Sequence, residues 1–442
     1  MSSVQQAMQA FRGAILHCLD DPGDALNSDN VEFYGDGLLL VVDGQVQRLG
    51  DASTLMPELP EGIDVQDYRG KLILPGFIDS HIHFSQTDMI ASYGEQLLDW
   101  LEKYAFPTER RFEDADHAAE VAEFFVDELL RNGTTTALVL GTVHPQSVDA
   151  IFEAACAKNL RLIAGKVLMD RNCPDYLQDT PDTAYRDSKA LIERWHRRGR
   201  LLYAITPRFA PTSSAAQLER ASQLAREYPD AYMHTHVAEN KAEVNWVAEL
   251  FPESRSYLDV YDHYGLLRER SVFAHCIHLD RTDRERMAET GAAMAFCPSP
   301  NLFLGSGLFD FAAAKELGIR VGLGTDVGGG TNFSQLRSLS EAYKVTQLKR
   351  QKLAPLQALY LATLSGARAL YLDDRIGNFV VGKEADFIVV DWQSTPLLAR
   401  RMSAAEELVE KLFALIMLGD DRAIFATHIM GRCAYRRDAA ER

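Results

Sequence analysis

Short apolar runs alternate with helical patterns along the central part of the chain. Runs that favour strands occupy residues 72–83, 134–140, 161–169, 201–209, 232–239, 272–279, 293–298 and 320–326. Between them, apolar residues recur at three- and four-residue steps, most clearly over residues 112–131, where Asn132 and Gly133 end the pattern. Further helical patterns cover residues 147–158, 184–198, 214–227 and 283–290. Eight strands that alternate with helices predict an α/β fold, a (β/α)8 TIM-type barrel.

The two ends of the chain follow a different pattern. Residues 37–46 read as a strand with a hairpin turn at Asp43 and Gly44, and residues 386–391 and 424–435 form short apolar segments. We therefore expect a small β-sandwich domain built from both termini. The predicted limits are residues 1–71 and 376–442 for this domain and 72–375 for the barrel, with a helical stretch at 353–370 as the connection.

Composition fits an enzyme of ordinary solubility. The chain has 442 residues, 47% of them hydrophobic, and a formal net charge of −17, which disfavours a nucleic-acid-binding surface. Its six cysteines are scattered without a C-x-x-C pair, which is typical of reduced structural residues. The first residues do not read as a secretion signal, and no apolar run has the length of a membrane span, so we expect a cytoplasmic protein.

Polar side chains stand where four of the predicted strands end. Two of them, His81 and His83, are separated by one residue and therefore point to the same side of a strand. A buried core histidine explains one such position but does not readily explain four. The catalytic groups of parallel barrels gather at the C-terminal ends of the strands. The candidates there are His81, His83, His236, Glu239, His275 and Asp326.

The order of these residues resembles the metal-dependent amidohydrolase superfamily. Within it, the chain is similar to the bacterial guanine deaminases over essentially its whole length. The segments that carry this resemblance are HIHFSQTDM, YGEQLLDWLEKYAFPTERRF, LLRNGTTTALV, GKVLMDRN, ITPRFAPTSS, HTHVAENKAEV, AFCPSPNLFLGSG and GLGTDVGGGT. The H-x-H pair is common to a large superfamily and does not specify a substrate, whereas the segments around residues 86, 100–112 and 208 are narrower signals.

A single metal ion is expected. His81, His83, His236 and Asp326 offer three nitrogens and one oxygen, a set that suits Zn²⁺ and permits iron. The resemblance implies these four as ligands and places His275 nearby, as a further ligand or as a partner of bound water. Many superfamily members hold two metals through a lysine on the fourth strand, but residues 201–209 contain no lysine. We therefore expect one Zn²⁺ per chain.

The resemblance also implies catalytic roles. Glu239 would shuttle a proton to the substrate ring, although a helix N-terminal acid is the alternative explanation for it. Asp326 would act as ligand and proton acceptor, and His275 as a relay.

Substrate contacts follow from the chemistry of guanine, the substrate that the resemblance implies. Arg208 has a rigid fork of donors that can face the O6 acceptor, and the Gln86 amide can accept and donate. Phe209 and Trp100 can stack on the purine plane. The alternatives are a salt bridge for Arg208, a solvated Gln86 and core packing for both aromatic residues.

The implied reaction is the hydrolysis of guanine to xanthine and ammonia, and the implied assembly is a homodimer. Two other functions stay open at this point. One is an amidohydrolase for a different aminated ring, such as 8-oxoguanine, a triazine or an adenosine derivative. The other is a non-catalytic scaffold on the same fold, which would be expected to have lost metal ligands.

Overall fold

The computed structural model of the chain describes residues 8–26 and 28–438. Its strands are β1 Met8–Cys18, β2 Val31–Val42, β3 Gln45–Asp51, β4 Val65–Pro75, β5 Phe77–His83, β6 Thr134–Leu140, β7 Arg161–Gly165, β8 Val167–Leu168, β9 Leu201–Pro207, β10 Tyr232–Val237, β11 Ser271–His275, β12 Ala293–Phe296, β13 Arg320–Leu323, β14 Phe387–Val390, β15 Ile424–Ile429 and β16 Arg432–Arg436.

Most of the barrel strands are followed by a helix on the outside. The α-helices are α1 Ala52–Leu55, α2 Leu97–Trp100, α3 Phe106–Arg110, α4 Ala115–Arg131, α5 Pro145–Ala157, α6 Pro181–Trp195, α7 Ala215–Glu227, α8 Lys241–Leu250, α9 Tyr257–His263, α10 Arg281–Thr290, α11 Pro298–Phe303, α12 Phe311–Glu316, α13 Gln335–Leu348, α14 Pro355–Ala362, α15 Leu364–Ala369, α16 Pro396–Ser403 and α17 Leu408–Leu418. Among the described residues, none of these helices is long and apolar enough to cross a membrane.

Eight parallel strands form the barrel. Their order is β5, β6, β7, β9, β10, β11, β12 and β13, and the short β8 also pairs with β9. The end of β5 is bonded to the segment that follows β13, where Asp326 N–H donates to His81 O at 2.8 Å and His83 N–H donates to Val327 O at 2.9 Å. The predicted (β/α)8 barrel is confirmed, and its closure places Asp326 directly beside the two histidines.

The small domain is a seven-stranded sheet with strands from both ends of the chain. Its order is β16, β15, β14, β4, β1, β2 and β3. β1 is parallel to β4 and antiparallel to β2, and β14 is antiparallel to β4. The predicted small β-domain built from both termini is therefore present, and its strands form one sheet.

Three predicted elements are each divided in the structure. Residues 72–83 belong to two strands, because β4 ends in the small sheet and β5 begins the barrel. Gly76 lies between them, where a Cβ atom would stand 2.0 Å from Thr135 Oγ1. Residues 161–169 divide at Lys166 into β7 and β8, and residues 353–370 divide at Thr363 into α14 and α15. The domain limits at 72 and 375 stay predictions.

Helix ends follow the expected capping chemistry. The helix predicted at 112–131 begins at Ala115, because the Asp114 side chain accepts hydrogen bonds from the backbone N–H groups of Asp116 and His117. Such a cap satisfies donors that have no partner inside the helix. The buried face of α4 packs against α5 and β6 of the barrel.

Candidate active site at the C-terminal ends of the barrel strands

Four side chains, three of them buried and that of His236 partly buried, meet at one point above the barrel. His81 and His83 end β5, His236 lies near the end of β10, and Asp326 follows β13. Nε2 of His81 lies 3.1 Å and Nε2 of His83 lies 3.3 Å from Asp326 Oδ1. Nε2 of His83 also lies 3.1 Å from Nε2 of His236. The donor atoms of the four residues all lie within 4.8 Å of one another.

This group fits a divalent metal. Ligands bound tetrahedrally at about 2.0–2.1 Å from Zn²⁺ stand about 3.3 Å apart, close to the separations of 3.1–3.3 Å seen here. Nε2 of His81 is buried without a hydrogen-bond partner among the described residues. Burial lowers the pKa of His83 to about 4 and that of His236 well below its usual value. Neutral imidazole is the form that binds metals.

The second nitrogen of all three rings is held by the protein, and that of His83, Nδ1, lies 3.3 Å from the Gln86 amide nitrogen. His81 Nδ1 lies 2.7 Å from Nε2 of His234, and His236 Nδ1 lies 2.6 Å from the backbone oxygen of Arg208, to which it can donate. His234 is fully buried. Such partners orient a ligand ring and set which nitrogen faces the metal.

His275 stands at the edge of this group. Its Nε2 lies 3.7 Å from Asp326 Oδ2 and 3.4 Å from Glu239 Oε2. Its Nδ1 lies 2.8 Å from the Asn301 side-chain oxygen, so the Nδ1–H donates there and leaves Nε2 facing the cluster. The backbone φ of His275 is +70°, an uncommon conformation for a residue other than glycine, which turns the chain sharply at the strand end.

Glu239 is a buried acid beside the cluster. Burial, aided by the negative charge of Asp326, raises the pKa of Glu239 to about 8, while a hydrogen bond from Ser306 opposes the shift. Ser306 Oγ donates to Glu239 Oε1 at 3.1 Å. The Glu239 backbone N–H donates to Glu243 Oε2 at 2.9 Å, which fixes the loop after β10. A carboxyl with this pKa can be protonated at neutral pH and can donate.

A pocket opens over these residues and collects the predicted substrate contacts. Its wall contains nine of the ten predicted site residues, and His81 lies behind His83. The side chains of Gln86, Trp100, Arg208 and Phe209 all face it. The predicted residues in the wall are His83, Gln86, Trp100, Arg208, Phe209, His236, Glu239, His275 and Asp326.

Glu109 joins two of the predicted substrate contacts. Arg208 Nη1 donates to Glu109 Oε2 at 2.6 Å, and Gln86 Nε2 donates to Glu109 Oε1 at 3.0 Å. Gln86 Oε1 accepts from the Gly328 backbone N–H at 3.2 Å. Arg208 therefore forms a salt bridge and also lines the pocket. Gln86 is buried and not solvated.

Sequence reasoning missed several residues of this site. Four complete the pocket wall, and three others hold pocket side chains through hydrogen bonds. All of them stand in segments that carry the resemblance, but no pattern in the sequence distinguishes them from neighbouring core positions. The residues are Leu97, Leu101, Leu304 and Gly329 in the wall, and Glu109, Asn301 and Ser306 behind it.

A family model described as "Amidohydrolase family" matches residues 72–432. Guanine deaminase of Escherichia coli is 53% identical over 441 residues, which cover 99% of this chain and 100% of that protein. A probable guanine deaminase of Deinococcus radiodurans is 39% identical over 98% of this chain and 100% of its own length.

Solved structures agree with these sequence matches. The structure of E. coli guanine deaminase superposes with a TM-score of 0.95, covering 97% of this chain and 100% of that one, at 53% identity. Guanine deaminase from C. acetobutylicum, solved with guanine bound in its active site, has a TM-score of 0.87 at 27% identity, covering 97% and 100%. The family match spans most of the chain, and the buried His/Asp cluster fits its metal dependence. The chain belongs to the amidohydrolase family.

Proposed function

We propose that this protein is a guanine deaminase, which converts guanine and water to xanthine and ammonia. The observation that carries this proposal is one pocket that unites a buried acid, a His/Asp metal cluster and the Arg208 guanidinium. The relatives with 53% and 39% identity over nearly the whole chain are named as guanine deaminases, the second as a probable one.

The proposed metal is one Zn²⁺ per chain. His81, His83, His236 and Asp326 would hold it, and His275 would lie close enough to bind the metal or a water molecule beside it. Bound at this place, Zn²⁺ would supply Lewis acidity, which lowers the pKa of water toward neutrality. Iron is the second candidate for the same donor set.

Proton transfer is the proposed task of Glu239, His275 and Asp326. Water adds at C2 of guanine, the bond from C2 to the exocyclic amine breaks, and ammonia leaves. Of the two protons of water, one ends on ring N3 and the other on the ammonia. Glu239, protonated at the start, delivers the first proton and is recharged from the water. Asp326 accepts the second proton, and His275 or Glu239 passes it to the amine.

Substrate orientation is the proposed task of the opposite end of the pocket. Guanine presents acceptors at O6 and N7, and Arg208 has donors in a fixed fork. Phe209 and Trp100 provide aromatic surface for the ring. The Gln86 amide is fixed by Glu109 and Gly328, so it presents a defined polar edge. We further propose a homodimer, as the resemblance implies, and a location in the cytoplasm.

Ammonia release from a panel of bases tests the proposal. The purified protein is incubated with guanine, adenine, cytosine and 8-oxoguanine, and xanthine is identified by chromatography. We expect rapid turnover of guanine and little or none of adenine. A Glu239→Gln preparation, purified in the same way, controls for contaminating deaminases. Preference for another ring, or no turnover by the metal-loaded protein, would contradict the proposal.

A further inference from the structure

The carboxylate of Glu109 lies directly behind the substrate pocket. It is fully buried and does not belong to the pocket wall. Its two oxygens accept hydrogen bonds from two side chains that do line the pocket, Oε2 from Arg208 at 2.6 Å and Oε1 from Gln86 at 3.0 Å. By direct contact, Glu109 therefore reaches the pocket through these two residues.

Helix α3 brings Glu109 to this position and holds Arg208 by a second contact. The guanidinium carbon of Arg208 lies 5.3 Å from the centroid of the Phe106 ring, and Phe106 precedes Glu109 by one helical turn. A π-helical turn at Leu101–Ala105 connects α3 to α2, which carries Trp100 into the pocket. One helical segment thus contributes to the pocket wall and also supports the arginine opposite it.

The electrostatics of this pair favour a positioning role. Arg208 is 2% exposed and Glu109 is 0% exposed, so each charge depends on the other for compensation. The Nη1 group is engaged by Glu109, which fixes the plane of the guanidinium and leaves the remainder of its fork for a ligand. Without Glu109, the arginine is a buried, unpaired cation that is expected to turn toward water or another acceptor.

We propose that Glu109 is a positioning residue that sets specificity for a carbonyl oxygen on the substrate ring, acting through Arg208. This inference rests on the proposed function, because it assigns Arg208 to O6 of guanine. Gln86 is the second hydrogen-bond partner of Glu109, but its amide also accepts from the Gly328 backbone N–H and lies 3.3 Å from His83 Nδ1, so its position depends less on the carboxylate. The effect of Glu109 is thus concentrated on the oxygen that Arg208 contacts.

Two purines separate this role from a general structural one. Guanine and 2-aminopurine share the amine that is removed and differ in the oxygen at the six position. We expect Glu109→Gln to reduce kcat/KM for guanine by ~10- to 100-fold, the usual effect of a lost hydrogen bond to a charged group, mainly through KM. For 2-aminopurine we expect kcat/KM, or the inhibition constant if it acts only as a competitive inhibitor of guanine turnover, to change by less than ~3-fold. A change of this size is within the ordinary variation of such contacts between sites. Metal content should stay at the wild-type level.

A double-mutant cycle tests the pathway. In an Arg208→Ala background, adding Glu109→Gln should lower kcat/KM for guanine by no more than ~3-fold, because the residue through which Glu109 acts is absent. The matched control is Glu384→Gln, which changes a partly buried glutamate that is paired with Arg161 and Arg200 and lies outside the pocket wall. This control should affect stability while the ratio of the two purine activities stays at the wild-type value.

The outcomes distinguish this inference from the proposed function. If the wild type releases no ammonia from guanine, the proposed function is wrong. If the wild type is active and Glu109→Gln lowers both purines equally, or if its effect adds fully to that of Arg208→Ala, Glu109 is structural and the inference is overturned. Glu109→Ala provides a second variant, whose loss on guanine should equal or exceed that of Glu109→Gln.

Discussion

Glu239 Oε2 lies 3.4 Å from Nε2 of His275. The two groups come from different strand ends, and both line the pocket. Ser306 holds the other oxygen of Glu239, and Asn301 holds the other nitrogen of His275. Each group therefore presents one fixed atom to the pocket, at a separation that suits proton exchange through a substrate atom or a water molecule.

Replacing Glu239 with glutamine tests its proposed shuttle role. Glutamine keeps the shape and a hydrogen bond but cannot titrate, and positioned proton transfer contributes ~10²–10⁴-fold to rate. We expect kcat for guanine to fall by that order, with metal content and guanine binding nearly unchanged. Exposed Glu249 on α8 offers a matched control, Glu249→Gln, expected to behave as wild type. Near-normal turnover by Glu239→Gln would leave this residue as a helix-end charge.

Removing a metal ligand should remove the metal. We expect His83→Ala or Asp326→Ala to lose most bound zinc and nearly all activity, because each deletes one of four converging donors. Elemental analysis of the wild type should give about one metal per chain, as expected for a four-ligand site. The control is His263→Ala, since His263 is exposed at the end of α9. Two metals per chain, or an active metal-free protein, would refute the one-metal site.

Arg208 should determine the choice between guanine and adenine. Adenine offers an amino donor at the six position, where guanine offers an acceptor. Pockets built around such hydrogen bonds discriminate by ~10⁴–10⁵-fold. We expect Arg208→Ala to lower kcat/KM for guanine sharply while metal stays bound, because the residue lines the pocket without joining the His/Asp group.

An exposed arginine provides the comparison for that variant. Arg281 lies on α10 with its side chain 74% exposed, and Arg281→Ala should retain the wild-type kcat/KM. If Arg208→Ala converts guanine at the wild-type rate, Arg208 does not contact the substrate in the way proposed. A wild-type protein that prefers adenine would contradict the assignment of the whole pocket.

The barrel and its His/Asp cluster were predictable because they depend on local patterns. The sequence shows apolar strand-like runs that lead into His81, His83, His236 and Asp326. Closure of the barrel then brings these four residues together. Glu109 was not predictable in this way. It lies on a short helix whose approach to Arg208 depends on tertiary packing between residues 99 positions apart.

The divided elements have a similar explanation. The run 72–83 reads as one strand because the end of β4 and all of β5 are buried, although they belong to different sheets. Periodicity describes the surroundings of each residue but does not identify the sheet that provides them. The turn at Gly76 is dictated by the close approach of Thr135, a contact that no local pattern contains.

Asn301 is expected to position His275. Its side-chain oxygen lies 2.8 Å from His275 Nδ1 and selects the tautomer that presents Nε2 to the pocket. We expect Asn301→Ala to lower kcat about ten-fold or more, as for second-layer partners of metal-site histidines, while KM changes little. Asn301→Asp keeps the acceptor and should recover part of the rate. Equal loss in both variants would indicate a packing role instead.

His428 provides a test of stability far from the pocket. It is fully buried in the small sheet, where its ring stacks on Phe387 with centroids 4.4 Å apart. Nε2 lies 3.0 Å from the Tyr68 hydroxyl, and Nδ1 lies 3.2 Å from the Gly431 backbone oxygen. With Tyr68 donating to Nε2 and Nδ1–H donating to Gly431, both nitrogens are satisfied by the neutral ring.

The protein should therefore become less stable at acidic pH, because His428 must be protonated. Burial lowers the pKa of His428 from 6.5 to about 4 in the folded protein. Between pH 6.5 and pH 4 the unfolded chain binds the proton more readily than the folded protein does. The contribution of the neutral ring to the free energy of unfolding is therefore complete above pH 6.5 and declines toward pH 4, by up to about 3 kcal/mol. His428→Gln cannot titrate. We expect the wild type to exceed this variant in Tm most at pH 7, with the advantage shrinking as the pH falls to 5. A difference in Tm that is constant over this range would show that His428 does not resist protonation in the fold.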